Sequence, residues 1–433
     1  MQDLPPYVQT LLQSALHAYD ADQWEPALQL LKIALTNDAG NHEALYLLGH
    51  LQFTLKQFPE AEKALRQSLL IDPAQARAQN DLGATLFAMG RDAEALTHIR
   101  QALMLDPNLP EAEESDGIWL LRYGRFREAW RKYEARYRTH VSGPHQRHFT
   151  QPQWAGEPIE GRTILLHAEQ GFGDTIQFVR YVPLVADRGA KVVLEVQQGI
   201  GTLLTGLQGP HHLLERGRPL PDFDVHCPLL SLPMVFDTDL DSIPAPIPYL
   251  AATEQRIFEW RARLGRPLGP PLGPPLGPRR AMRIGIAWSG NPAHRDDYRR
   301  SIPLAQFAQL LTNRPDREFH VLQAIVRDSD KEALRNLPHV HDHSLTLADF
   351  THTAALISLM DVVISVDTSV AHLAGAMGWP VWLLLASQAD WRWLLERDDS
   401  PWYPTFWLFR QRHRGDWDGV LKQVAQELDN MLT

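Results

Sequence analysis

Residues 361–378 read DVVISVDTSVAHLAGAMG. The apolar run behind Asp361 predicts a buried strand to Val366, and the small and apolar residues from Ser369 to Met377 predict a helix. Asp367, Thr368 and Ser369 then occupy the turn, where hydroxyls and backbone N–H groups can grip phosphate oxygens. His372, one helical turn further on, can add a donor. Residues 162–178, RTILLHAEQGFGDTIQF, repeat the arrangement. A strand over Arg162–Ala168 leads into Gly171 and Gly173, and a helix runs from there to about Asp187 with Asp174 at its mouth. Glycines at such a turn are expected to supply positive φ and close backbone approach to a ligand.

The same alternation spreads outward from both stretches. Lys191–Val196 and Asp224–Leu230 read as further strands of the first half. In the second half, Met282–Trp288, Glu318–Gln323 and Val381–Leu385 read as strands. Leu304–Leu311, Asp328–Arg335, Asp349–Met360 and Trp417–Leu432 read as helices. Strands alternating with helices imply parallel βαβ units, and two such halves create a cleft at the carboxyl ends of their strands. Between them, 266–278 run RPLGPPLGPPLGP, a Pro-Gly spacer that fits neither helix nor sheet. After the strand that ends at Trp288, Ser289 and Asn291 form a small-residue turn. The paired Arg299 and Arg300 follow, an arrangement suited to a diphosphate.

The N-terminal third is organised differently, with a period of 34 residues. Ala15, Gly49, Gly83 and Gly117 form one column, and Ala27, Ala61, Ala95 and Ala129 a second. Trp24, Phe58 and Phe126 form a third, interrupted by Asp92, while Asp72-Pro73 and Asp106-Pro107 close two units. The pattern resembles tetratricopeptide repeats, pairs of helices that need small residues where they cross and a proline where they stop. Such an array implies a groove for a protein or peptide; its alternative role is a scaffold for a homodimer. The organisation expected is therefore a repeat superhelix over 1–142, a Rossmann-like half over 143–265, a linker over 266–280 and a second half over 281–433.

The chain of 433 residues carries 42 Lys plus Arg against 52 Asp plus Glu, a net charge of −10. That balance argues against a nucleic-acid partner, which needs a concentrated positive surface. The basic, aromatic segment from Arg122 to Arg138 accordingly reads as a helix that docks its aromatic side and leaves its arginines solvated or paired with Glu128 and Glu134. The one cysteine, Cys227, reads as a buried, inert thiol. No apolar run is long enough to span a bilayer and Met1–Tyr7 lacks a basic start, so a cytoplasmic protein is expected. Asp237-Thr238-Asp239 has the spacing of a metal–nucleotide motif but lies in a Pro-rich connection. His339, His341 and His343 around Asp342 could bind zinc, but a solvated loop is the preferred reading, because their spacing matches no helical metal pair. No metal site is expected.

Taken together, these stretches resemble bacterial tetratricopeptide-repeat glycosyltransferases whose catalytic part is similar to the heptosyltransferase family. DTSVAHLAGAMG (Asp367–Gly378) looks like that family's nucleotide-sugar motif and GFGDTIQF (Gly171–Phe178) like its Gly-x-Gly-Asp turn. DWRWLLERDDSPWYP (Asp390–Pro404) looks like a stretch of the repeat-bearing subgroup. The order of domains is also similar to that of O-linked GlcNAc transferases. The resemblance implies an α plus α/β protein, a repeat superhelix followed by a twin Rossmann-like GT-B module. It implies an inverting, metal-independent enzyme that moves a sugar from a nucleotide donor to a protein hydroxyl. Asp174 would be the general base. Gly171, Gly173, Ser289, Asn291, Arg300, Asp367, Thr368, Ser369 and His372 would bind the donor, and Trp391 and Trp393 would stack on its base or sugar. The chain departs from the heptosyltransferase pattern at Val370, where those enzymes carry a Gly-rich turn, and over Trp391–Trp402, which has no counterpart there, so the resemblance does not extend to heptose specificity. Two rivals are a glycan- or lipid-saccharide-directed enzyme and a non-catalytic repeat adaptor.

Overall fold

The computed structural model describes residues 6–139, 147–244, 246–265, 281–294 and 296–432. The Pro-Gly spacer lies outside the described residues. The chain divides into two compact units, Met1–Pro144 and His145–Thr433.

The first unit is a tetratricopeptide-repeat array of four helix pairs: α1 (Pro6–Asp20) with α2 (Trp24–Asn37), α3 (His42–Thr54) with α4 (Phe58–Ile71), α5 (Ala76–Ala88) with α6 (Asp92–Leu105) and α7 (Pro110–Arg122) with α8 (Phe126–Tyr133). The sequence columns have direct causes. Ala27, Ala61, Ala95 and Ala129 are all fully buried on the second helix of each pair. A Cβ on Gly49, Gly83 or Gly117 would meet Leu65, Ile99 or the Tyr133 backbone within 2.9 Å, so the paired helices cross backbone to backbone. Trp24, Phe58, Asp92 and Phe126 each open a second helix. Asp72 and Asp106 end α4 and α6, and their carboxylates accept the N–H groups of Ala74 and Asn108 just beyond the prolines. The basic segment after α7 is paired: Arg125 with Glu128, Lys132 with Asp116, Arg136 with Glu134 and Arg138 with Glu113. The expectation that these arginines are solvated or paired with Glu128 and Glu134 needs correcting at Arg122, whereas the Arg136–Glu134 pair meets it. Arg122 is buried against Asp92 and the Phe87 ring, and Arg136 is buried over Tyr133 and Tyr137.

The second unit holds two wholly parallel sheets. The strands of the first are β1 (Thr163–His167), β2 (Lys191–Val196), β3 (Pro210–Glu215) and β4 (Val225–Pro228), in the order β3-β2-β1-β4. The second sheet contains β5 (Met282–Ala287), β6 (Arg317–Val321), β7 (Val340–His341), β8 (Val362–Val366), β9 (Val381–Leu385) and β10 (Phe406–Arg410), in the order β10-β9-β8-β5-β6-β7. Its central strands are apolar on both faces, as strands covered on both sides must be. Cys227 is buried within β4, as expected. The helix expected to Asp187 is broken into α9 (Phe172–Phe178), a 3₁₀ turn and α10 (Val182–Ala186), because Pro183 can supply no N–H there. Helices α11 (Leu232–Val235) and α12 (Glu254–Leu264) complete the first half. The second half adds α13 (Asp297–Arg300), α14 (Leu304–Phe307), α15 (Asp328–Arg335), α16 (Phe350–Ile357), α17 (Ser369–Ala376) and α18 (Trp417–Leu432).

Helix α12 packs on α16, and its buried Trp260 sets its ring edge-on to His343 and His352, both from beyond the spacer. Asp239 caps a 3₁₀ turn at Leu240 while Thr238 bonds the buried Tyr181 hydroxyl, so the DxD sequence has a structural role. Among the described residues, no helix is long and apolar enough to cross a membrane.

Candidate functional site

The two turns singled out in the sequence meet. Helix α9, after β1, packs against α17, after β8. They meet at Gly173 and His372: a Cβ at Gly173 would lie 2.8 Å from His372 Cδ2. This corrects the reason given for the glycines. Neither Gly171 nor Gly173 has positive φ, and Gly171 is an extended N-cap with φ −75°. Gly173 is small because an imidazole from the other sheet's turn needs the space. Gly378, by contrast, follows the C-cap Met377 of α17 with φ +76°, a left-handed conformation that glycine adopts without strain.

Asp174 sits in the first turn of α9. Its Oδ2 accepts the Gly171 N–H at 2.8 Å, and its Oδ1 accepts from Arg392 Nη2 at 2.6 Å. Arg392 is buried and anchored three more times: it donates to Gln177 Oε1 at 2.6 Å and to Asp390 Oδ1 at 2.9 Å, and its guanidinium lies 4.3 Å from the Trp391 ring centroid. One guanidinium therefore joins carboxylates from both halves, with charge-assisted bonds in a low-dielectric setting.

On the facing side, Asp367 Oδ2 accepts from Trp393 Nε1 at 2.8 Å, its backbone oxygen accepts from Arg300 Nη1 at 3.0 Å, and its Oδ1 is 3.9 Å from His372 Nε2. Burial, with the like charge of Asp390 adding, pushes the Asp367 carboxyl up to about 6; the Trp393 N–H and the cations Arg300 and Arg392 oppose the rise. Burial, helped by Arg392, Arg180 and Arg300, holds His372 well below the usual histidine range, so its ring is neutral at pH 7. Its Nδ1 shares a hydrogen bond with Tyr403 Oη at 2.9 Å.

Thr368 is the N-cap of α17, but its hydroxyl lies 3.2 Å from Ser365 Oγ and makes no cap bond. Ser369 is the first residue of that helix and half-buried. The Ser289 hydroxyl is buried and accepts from Gln323 Nε2 at 3.0 Å. Asn291 is exposed, its Oδ1 accepting the Ala293 N–H in a local turn. Arg300 lies over Gly290, where a Cβ would come within 2.7 Å of its guanidinium.

The stacking expectation for Trp391 and Trp393 is not met. Trp393 is fully buried, stacked on Phe406 at 5.6 Å and tilted against His372 at 5.4 Å, while Trp391 is buried edge-on to Trp402. Both rings are core.

The sequence reading missed Arg180 and Arg392. Arg180, nearly fully buried, donates to the carbonyls of Gln177 and Trp402 and to Tyr249 Oη, and its guanidinium lies near the Tyr249 and Tyr403 rings. An arginine placed inside otherwise apolar helix and loop stretches was the available signal.

The repeat array defines the class of the N-terminal unit. Residues 18–80 match one tetratricopeptide-repeat model and residues 76–109 a second. Protein FlbA of Caulobacter vibrioides is 23% identical over 325 residues, a match that covers 70% of this chain and 52% of FlbA. The chain thus spans about half the length of that curated relative. The match extends well beyond what the repeats alone supply. Solved structures resembling the chain include MamA (25% identical, TM-score 0.27, 30% of this chain and 75% of that one) and a thermophilic TPR protein of Thermus thermophilus (19%, 0.29, 32% and 76%). The second TPR of Spaghetti, bound to an HSP90 peptide, is 18% identical with a TM-score of 0.23, covering 23% of this chain and 94% of that one.

Proposed function

We propose that the protein is a GT-B glycosyltransferase that moves a sugar from a nucleotide donor to a hydroxyl of a protein bound by its tetratricopeptide repeats. The observation that carries this reading is the convergence of Asp174 and Arg392 with Asp367 and His372. They come from turns at the carboxyl ends of two parallel sheets, where ligands of such folds bind. The resemblance of Gly171–Phe178 and Asp367–Gly378 to heptosyltransferase motifs supports the same assignment.

On this reading Asp174 takes the proton from the acceptor hydroxyl as it attacks the anomeric carbon. The leaving phosphate gains negative charge. Arg300, Thr368, Ser369 and the N–H groups opening α17 then stabilise it, with neutral His372 as a further donor. Those groups supply the electrostatics without a metal. Arg392 occupies Asp174 Oδ1, so on this reading donor binding draws Arg392 toward the phosphates and frees that oxygen before Asp174 acts. Inverting stereochemistry follows the resemblance.

Asp174→Asn separates chemistry from binding. Turnover is expected to fall by about 10²–10⁴-fold, the usual worth of a positioned base, with donor affinity, read by calorimetry, kept within a few-fold. Turnover near wild type would remove Asp174 as base. A thermal-shift screen of UDP-, GDP-, ADP- and CMP-sugars names the donor, since a bound ligand raises the melting temperature.

One observation favours a second reading, a repeat adaptor with a closed, non-catalytic module. Arg392 satisfies Asp174 within the fold, and the tryptophan faces are covered. No binding of any sugar nucleotide, to wild type or to Arg392→Ala, would decide for the adaptor.

A further inference from the structure

The histidines expected to form a solvated loop are instead gathered at the edge of the second sheet. Glu318 and His320 are two residues apart on β6, so their side chains leave the same face. The parallel register of β7 sets His341 directly beside His320. The His320 and His341 rings stack at 4.7 Å and 15°. The His343 ring lies 5.4 Å from that of His320, with Nε2 3.1 Å from His320 Nδ1. His339 stands apart, bonded to the Leu311 carbonyl.

Among these groups the other nitrogen of His320 is unusual. His320 is 1% exposed, and its Nε2 is buried with no hydrogen-bond partner, 3.8 Å from Glu318 Oε2. Leaving such a nitrogen unsatisfied is unfavourable, and nothing in the proposed transferase chemistry uses it. Glu318, His320 and His341 each present one ligand atom, all within 4.8 Å of one another. His341 is exposed, so the cluster opens to solvent.

We infer that Glu318, His320 and His341 form a binding site for a divalent transition cation of the zinc type, clamping the short edge strand β7 onto β6. Two imidazoles and a carboxylate are ligands zinc prefers, with water to complete a tetrahedron. Bonds of about 2.0–2.2 Å put tetrahedral ligand atoms roughly 3.4 Å apart. The present spacing therefore closes by little more than about 1 Å, within reach of the exposed His341 side chain. The ion would satisfy His320 Nε2. It would compete with Arg283, whose Nε now lies 3.4 Å from Glu318 Oε2, which sets a limit on affinity. His343 holds the far side of His320 as a partner behind the ligand, a common arrangement for metal-bound histidine. The site spans β6 and β7 at the edge far from β10, with β5 between it and β8, and is independent of the transferase reading.

The test uses the full chain, tag-free and stripped with EDTA, titrated with ZnCl₂ by calorimetry. One saturable equivalent is expected, together with a rise in melting temperature that EDTA reverses. Co²⁺ should give visible bands of tetrahedral intensity. His341→Ala and Glu318→Gln should each weaken binding at least about tenfold, since even groups behind a metal ligand are worth that much. His212→Ala, an exposed histidine on β3, should leave binding unchanged. Absence of a single saturable equivalent would overturn the site. So would wild-type zinc affinity in His341→Ala, or an equal loss in His212→Ala. The metal-free melting temperature of each variant distinguishes loss of the site from loss of the fold. If His341→Ala is already unstable without metal, Glu318→Gln and the cobalt spectrum decide.

Discussion

A methyl group on Gly173 would sit 2.8 Å from a ring carbon of His372, whereas one on Gly171 would meet only Asp174 Oδ2 at 3.3 Å with an ordinary φ. Gly173→Ala should therefore cost about 1–3 kcal/mol by overpacking, and Gly171→Ala within about 0.5 kcal/mol; urea denaturation of both variants checks the contrast. Asp367 gives a pH signature. Its folded pKa of about 6 stands above its ordinary 3.8, so the folded state holds the proton more tightly than the unfolded one. That contribution is complete below about pH 4 and is lost as pH rises through about 6, a change of up to about 3 kcal/mol. Asp367→Asn has no such titration and keeps an oxygen for Trp393. Its stability relative to wild type should therefore rise between about pH 4 and pH 7.5 in paired denaturation curves. Equal gaps at both pH values would place the burial cost elsewhere.

At the scale of elements, the legible parts were those built from short-range pattern. The strand–turn–helix units around Asp174 and Asp367 and the 34-residue columns lie within a few residues of their causes, so periodicity revealed them. Three strands were not legible. β3 begins with a proline and carries exposed histidines, β7 has two residues, and β10 is a run of aromatics without alternation. The histidine cluster was hidden for the same reason, since only the register of β7 against β6 brings His341 to His320. The pairing of Arg392 was not legible because its partner Asp174 lies 218 positions earlier, and no local signal spans that gap. Within the array, Ala95 on α6 is fully buried. Ala95→Leu should destabilise the array by about 1–3 kcal/mol, read as earlier loss of helical ellipticity on heating, while the exposed Ala93→Leu on the same helix should not.

At the scale of the molecule, the α/β unit is joined across its two sheets by buried polar side chains as well as by apolar packing. Arg180 links the chain after α9 to the Trp402 carbonyl and to Tyr249, and Arg392 links the segment after β9 to Asp174. Hydrogen bonds from a charged group are worth about 1.5–3 kcal/mol each. Arg180→Ala should accordingly lower the melting of the α/β unit by at least about 4 °C. It should also broaden the transition as the two sheets lose their common cooperativity; a sharp, unshifted transition in calorimetry would show that apolar packing alone suffices.

The repeat columns carry a consequence of a different kind. Each second helix offers its predecessor the same bare methyl, and each first helix from the second pair on offers the same absence of one, at intervals of 34 positions. A cassette of 34 residues spliced in or out between Ala76 and Leu109 would therefore keep the small-residue columns in register at the remaining crossings, while the Arg122–Asp92 pair would need a substitute. The array can be lengthened like a ruler gaining a division, while the sequence from residue 147 onward stays untouched.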